Sequence, residues 1–124
     1  MHCVIQTSQF VAAAKEAGLN DEDVHNIVAL LSKNPERGDV IKGTGGARKW
    51  RIPAKGKGKR SGARVVSFYS GEDIPVFLLD VFVKGDRIDL SQSERNELKS
   101  ILGEMADDYR QDQMRRITSF TEIA

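Results

Sequence analysis

Cysteine is nearly missing from this chain: Cys3 is the only one in 124 residues, so no disulfide can form within it. No Cys/His cluster has the spacing of a zinc site, and no other metal or cofactor is expected. No apolar run approaches the ~20 residues that cross a bilayer. The opening MHCVIQTSQF lacks the basic start and long apolar stretch of a signal peptide. These absences lead to the expectation of a cytoplasmic protein without a membrane partner. What is present, 40% hydrophobic and 30% charged residues, suits one globular domain of ordinary size. That domain is placed at residues 1–111, followed by a tail at 112–124 with a weak apolar repeat at Ile117, Phe120 and Ile123.

The net charge of +1 conceals a strong segregation. Residues 40–71 carry nine basic side chains (Lys42, Arg48, Lys49, Arg51, Lys55, Lys57, Lys59, Arg60 and Arg64) and no Asp or Glu. The segment before them sums to −3 and the segment after them to −5. A basic stretch between acidic flanks points to a polyanionic partner. The plainer reading is a solvated basic loop.

The hydrophobic pattern changes period along the chain. Residues 3–7 read as a short strand. Residues 8–17 read as a helix, with Phe10, Ala13, Ala14 and Ala17 on one side and Gly18 as its stop. Asn20 or Asp21 can cap a second helix whose stripe is Val24, Ile27, Val28 and Leu31, ended by Asn34-Pro35. From Asp39 the spacing becomes strand-like. Strands are expected at 39–42, 47–52, 64–70 and 76–84, with Gly43-Thr44-Gly45-Gly46 and the basic PAKGKGKRSG as turns. In the 47–52 strand Arg48, Trp50 and Ile52 point one way, Lys49 and Arg51 the other. Ser91-x-x-Glu94 is a capping box for a third helix bearing Leu98, Ile101, Leu102, Met105 and Tyr109. The order β-α-α-β-β-β-β-α predicts an α+β fold, with two N-terminal helices and a C-terminal helix packed on one face of a mainly antiparallel sheet.

Several familiar sites are excluded. Gly58, which precedes Lys59, has no glycine five positions before it, so there is no phosphate-binding P-loop. Gly43-Thr44-Gly45 meets Arg48 where a dinucleotide fingerprint needs glycine. His2 and His25 lie far from the basic segment, and Cys3 is expected as a small core residue. A cationic surface on a sheet remains. Lys49 and Arg51 share a face, Arg64 opens one strand and Lys84 closes another, and three glycines let the intervening loop approach phosphates closely.

Such a constellation binds a nucleic-acid backbone, and it can also cut RNA. RNA carries its own nucleophile, the 2′-hydroxyl. Clustered cations stabilise the charge that builds at phosphorus. They also disfavour one another's charged forms, which brings a lysine toward acid–base work. Arginine keeps the charge-stabilising role.

The run GDVIKGTGGARKWRIPAKGKGKRSGARVVSFY, the strand FLLDVFVK and the helix start DLS resemble the RelE/HigB superfamily of toxins from bacterial toxin–antitoxin modules. The GTGG-x-RK and KGKGKR-x-G-x-R runs are similar to its HigB-like branch, over roughly residues 3–110. The resemblance implies a RelE-like α+β fold and a metal-independent, ribosome-dependent endoribonuclease that cleaves mRNA in the A site of the 70S ribosome. It also implies a cognate antitoxin, in the HigB branch often a HigA-like helix-turn-helix protein through which alone operator DNA would be bound. Carried over residue by residue, it assigns Lys57, Arg64 and Lys84 to catalysis and Arg48, Lys49, Arg51, Lys55, Lys59 and Arg60 to RNA. One departure stands out. The region VFVKGDRIDLS has no tyrosine for proton acceptance, and Phe82 stands where relatives carry an aromatic hydroxyl. The general base is thus left between a lysine and ribosomal groups. Two alternatives compete: a non-catalytic RNA- or ribosome-binding module on the same fold, and a gyrase-poisoning relative.

Overall fold

A computed structural model of the chain describes residues 2–52, 63–83 and 91–123, with side chains described as far as Asp112. Along the chain run β1 (Val4–Gln6), α1 (Ser8–Glu16), α2 (Asp21–Lys33), β2 (Asp39–Val40), β3 (Ala47–Arg51), β4 (Ala63–Phe68), β5 (Val76–Val83) and α3 (Gln92–Ile123). The five strands form one sheet in the order β1-β5-β4-β3-β2. Only the β1–β5 pair is parallel; the other pairs are antiparallel.

Each helix begins where its sequence supplies a cap. The Thr7 side chain accepts from the Phe10 N–H at the start of α1. At α2 the Asn20 side-chain Oδ1 accepts from the Asp23 N–H while the Asp23 carboxylate accepts from the Asn20 N–H, a reciprocal box. Asp21, Glu22 and Asp23 fill that first turn and Lys33 the last, matching the helix dipole at both ends. Ser91 and Glu94 form the same kind of box before α3. That helix runs without a break through Gln111 to Ile123, 32 residues or about 48 Å at 1.5 Å per residue.

The helices lie on both faces of the sheet, not on one. Trp50, Val65, Val76 and Leu78 pack with Phe10, Ala14, Ile27 and Leu31 from α1 and α2. Their neighbours in the same strands, Ala47, Val66, Phe68 and Phe77, pack with Leu102 and Ala106 from α3. Side chains alternate across a strand, so the two clusters sit on opposite sides. The reason is visible in ARVVSF and VFLLDVFV: these runs are apolar at consecutive positions, as strands buried on both faces are. Ser67, fully buried within them, accepts from the Trp50 indole N–H at 3.3 Å. Cys3 is exposed rather than part of the core, because β1 is an edge strand of only three residues that begins after it.

The glycine turn between β2 and β3 is built around a buried threonine. The Thr44 hydroxyl donates to the Ile41 carbonyl at 2.6 Å and accepts from the Ala47 N–H at 3.1 Å. Gly46, at φ +125°, lies against the Phe68 ring, where a Cβ would come within 3.3 Å. A side chain there would push β3 away from the floor on which α3 packs.

Candidate nucleic-acid interface

Strand register decides which cations meet. On the α3 side of the sheet, three rows run across the strands. Ala47, Phe68 and Phe77 make the first, which lies in the cluster under α3. Next comes Asp39–Lys49–Val66–Asp80, and then Arg51–Arg64–Phe82. Residues directly opposite each other in a ladder share a face, so Lys49, Arg51 and Arg64 stand together, as the alternation of β3 predicts.

Arg51 and Arg64 are the central pair. They are directly opposite on neighbouring antiparallel strands, where like charges repel. Arg51 is exposed and Arg64 half-buried. Among the described residues none hydrogen-bonds or ion-pairs with the Arg64 guanidinium. The planar donors of an arginine match phosphate oxygens, so a register that opposes two of them suits an anion.

The acid-free segment does not make an acid-free face. Asp39 from β2 lies opposite Lys49, and Asp80 from β5 lies two strands away in the same row. Asp80 owes its place to a bulge. Leu78 pairs with Ser67 and Asp80 with Val66, so Leu79 is an extra residue in β5. The Asp80 carboxylate also accepts from the Val81 N–H at 2.8 Å. Charge along the sequence could not reveal these two carboxylates, because both belong to acidic flanks and only strand pairing delivers them. The row of Lys49 is therefore mixed in sign, and the row of Arg51 and Arg64 is purely cationic.

Arg48 is placed apart from the other three. It points to the opposite face, and its Nη1 donates to the carbonyls of Glu36 at 3.0 Å and Gly38 at 3.2 Å. Gly38, at φ +94°, packs so closely that a Cβ would sit 2.6 Å from the Lys49 carbonyl. Arg48 thus fastens the turn before β2 against β3, with Arg37 stacked over Trp50 at 5.1 Å. Lys55, Lys57, Lys59, Arg60 and Lys84 lie outside the described residues.

At the other end of this face α3 is anchored twice. Arg95 Nη1 donates to the Lys42 carbonyl, and Arg110 Nε donates to Asp73 at 2.6 Å across to the β4–β5 turn. The hydrogen bond from Arg110 holds the Asp73 carboxyl below the ordinary carboxylate range, against a smaller opposing effect of desolvation. Among the described residues there is no group of three or more His, Cys, Asp or Glu side chains placed to hold a metal ion, and no helix long and apolar enough to cross a membrane.

Fold and face together define a small α+β protein whose sheet carries a cationic row beyond the cluster packed under α3. Residues 2–123 match the family model of the RelE toxin of the RelE/RelB toxin–antitoxin system, and the chain belongs to that family. It is a toxin of a toxin–antitoxin module, with an antitoxin as its partner. The match extends past Gln111 and takes in the last turns of α3. A solved structure of a double mutant of the E. coli toxin RelE in the free state is similar over 68% of this chain and 84% of that one, at 18% identity and a TM-score of 0.47.

Proposed function

We propose that this toxin is a ribosome-dependent mRNA endoribonuclease of the HigB-like branch, cutting in the ribosomal A site by attack of a 2′-hydroxyl on the adjacent phosphorus. The observation that carries this reading is the Arg51–Arg64 pair, two directly opposed arginines on the sheet of a RelE-family toxin, beyond the cluster packed under α3. The nucleophile belongs to the RNA, so the protein's work is to hold the phosphate, stabilise the added negative charge and handle protons. Arg64 takes the charge-stabilising role, since its guanidinium has no other partner among the described residues. Arg51 and Lys49 hold the RNA backbone from the same face.

In this proposal the loop cations Lys55, Lys59 and Arg60 extend the RNA contact, and Lys57 and Lys84 handle proton transfer. Arg48 supports RNA binding indirectly, through the turn it fastens beside Lys49. The reaction as written uses no metal. The antitoxin is of the HigA-like helix-turn-helix kind, which alone contacts operator DNA, and the protein acts in the cytoplasm on 70S ribosomes.

The test is cleavage of a defined mRNA in a purified translation system, mapped by primer extension, with and without ribosomes and with and without EDTA. Cutting only on ribosomes, resistant to EDTA and lost in Arg64→Ala, is the expected result. Cutting of free RNA would remove the ribosome from the reading. Salt-sensitive RNA binding with no cutting would leave a binding module.

A further inference from the structure

We propose that the Gly43-Thr44-Gly45-Gly46 turn, together with Lys42 and Lys99, is a second anion site that takes a backbone phosphate of the RNA strand; this rests on the RNA reading above. The turn precedes β3 and lies against the first turns of α3. Gly43 is at φ +80°, Gly45 at +78° and Gly46 at +125°, so Thr44 sits between left-handed neighbours. Backbone of alternating hand turns successive N–H groups into one concavity, an arrangement that binds anions in many phosphate sites. The Thr44 N–H bonds to the Ile41 carbonyl at 3.3 Å. The N–H groups of Gly43, Gly45 and Gly46 make no hydrogen bond among the described residues, and Gly43 and Gly45 are exposed.

Two lysines flank these donors. Lys42 precedes Gly43, and the stem of Lys99 packs on Gly45, where a Cβ would come within 3.2 Å of its Cγ. Both lysines are exposed, and among the described residues neither ammonium has a hydrogen bond or an ion pair. Arg95 joins the two elements, its Nη1 donating to the Lys42 carbonyl at 3.2 Å. The acids at the start of α3 are directed elsewhere. Glu94 accepts from the Ser91 N–H in the helix cap, and Glu97, two positions before Lys99, is on roughly the opposite side of the helix. Fixed backbone donors beside movable point charges suit a phosphate.

RNA fits this site better than an acidic protein segment does. Lys99 belongs to α3 and so shares a side of the sheet with Lys49, Arg51 and Arg64. Arg51 is four positions along β3 from Ala47, where the turn ends, or about 14 Å at 3.4 Å per residue. A polynucleotide carries a phosphate on every nucleotide, so one strand can engage both sites with a few nucleotides between them. Carboxylates of a protein have no such repeat. The second site would fix the path of the strand at a distance from the reacting phosphate.

The test uses the full chain and a single-stranded oligoribonucleotide, with binding followed by fluorescence anisotropy from low to high salt. The paired variant Lys42→Gln/Lys99→Gln should lower the log–log salt slope by about 1.4, two contacts of ~0.7 each. A control pair on α1 and α2, Lys15→Gln/Lys33→Gln, removes the same charge and should leave the slope unchanged. In amide NMR spectra the Gly43, Gly45 and Gly46 signals should move when the strand is added. Thermal melting accompanies each variant. Should the Lys42/Lys99 variant fail to fold, the wild-type glycine signals decide.

Equal slopes for wild type and the Lys42/Lys99 variant, equal losses in the two paired variants, or glycine signals unmoved by the strand each overturn the inference. RNA binding weakened by Arg64→Ala would then keep the RNA reading. Glycine signals that move only with an acidic antitoxin assign the turn to a protein partner and overturn the inference as well. No binding of the strand does the same, and if ribosomes also show no cutting, the RNA reading falls with it.

Discussion

The two faces of the sheet are made of the same strands yet are covered to different extents. Under α1 and α2, Trp50, Val65, Val76, Leu78 and Val81 form a closed apolar layer. On the other side α3 packs over Ala47, Phe68 and Phe77, and the rows beyond them carry Lys49, Arg51, Arg64, Asp39 and Asp80. Both faces thus carry a buried apolar cluster. The α3 side is part core and part charged rows, and a single helix sets the border between them. A row of opposed arginines would be costly beneath a helix. Outside the α3 cluster Arg64 is half-buried, with no hydrogen-bonding or ion-pairing partner among the described residues.

If that division is right, substitutions on the two faces should fail in different measurements. Leu78→Ala, beneath α1 and α2, is expected to cost about 2–5 kcal/mol of folding stability, since it deletes a fully buried side chain. Chemical denaturation checks this, and a loss below about 1 kcal/mol would mean that face is less tightly closed. Arg64→Ala should do the reverse. Cutting falls by ~100-fold or more, as when a charge-stabilising donor is removed. The melting temperature holds or rises, because one of two opposed like charges has gone. A variant that cuts normally takes Arg64 out of the mechanism.

The arginines of β3 sharpen the comparison within one strand. Arg51→Ala should lower the salt dependence of single-strand RNA binding by about 0.7 in log–log slope, the value for one lost phosphate contact. Arg48→Ala should leave the slope unchanged and cost about 1 kcal/mol of stability through the two carbonyls it holds. Equal slopes in the two variants would contradict an RNA contact made by Arg51 and not by Arg48.

The smallest effect concerns the anchor of α3. Asp73 has its carboxyl held low by Arg110, so its contribution is present above the carboxyl's unfolded value and is lost as pH falls through the lower folded one. Both side chains are largely exposed, and solvent screens the pair. Protection factors around Ala106–Arg110, taken relative to the intrinsic exchange rate at each pH, should fall modestly on acidification, and Asp73→Asn should show that lower protection already at neutral pH. Identical acid responses in the two proteins would show that the apolar contacts of Leu102 and Ala106 alone hold the helix.

Much of this was legible before any coordinates. Caps at Asn20 and Ser91, the Gly-Thr-Gly-Gly turn and the period-2 strands mark element boundaries through local chemistry, and the structure has them within a residue or two at most ends. The shared face of Lys49 and Arg51 also follows from alternation alone. Cys3 misled because a β-branched, apolar-looking start suggests burial, whereas a three-residue edge strand covers little. The pattern of a single strand does not say whether the helices share one face of the sheet. Runs such as VFLL require partners on both sides, and the helix that supplies the second partner lies more than ten residues further along the chain.

The sequence by itself determined the local geometry, the +9 segment and the family signature, since capping, turn chemistry and charge act between residues near one another in the chain. Tertiary structure alone decided which charges share a face. One extra residue in β5 places Asp80 and Phe82 beside cations some 20 to 30 positions away in sequence, and β2 adds Asp39 from the other edge. The physical reason is that strand register is a long-range choice. A shift of one residue turns every side chain beyond it to the other face, and only the paired sheet shows where that shift occurs.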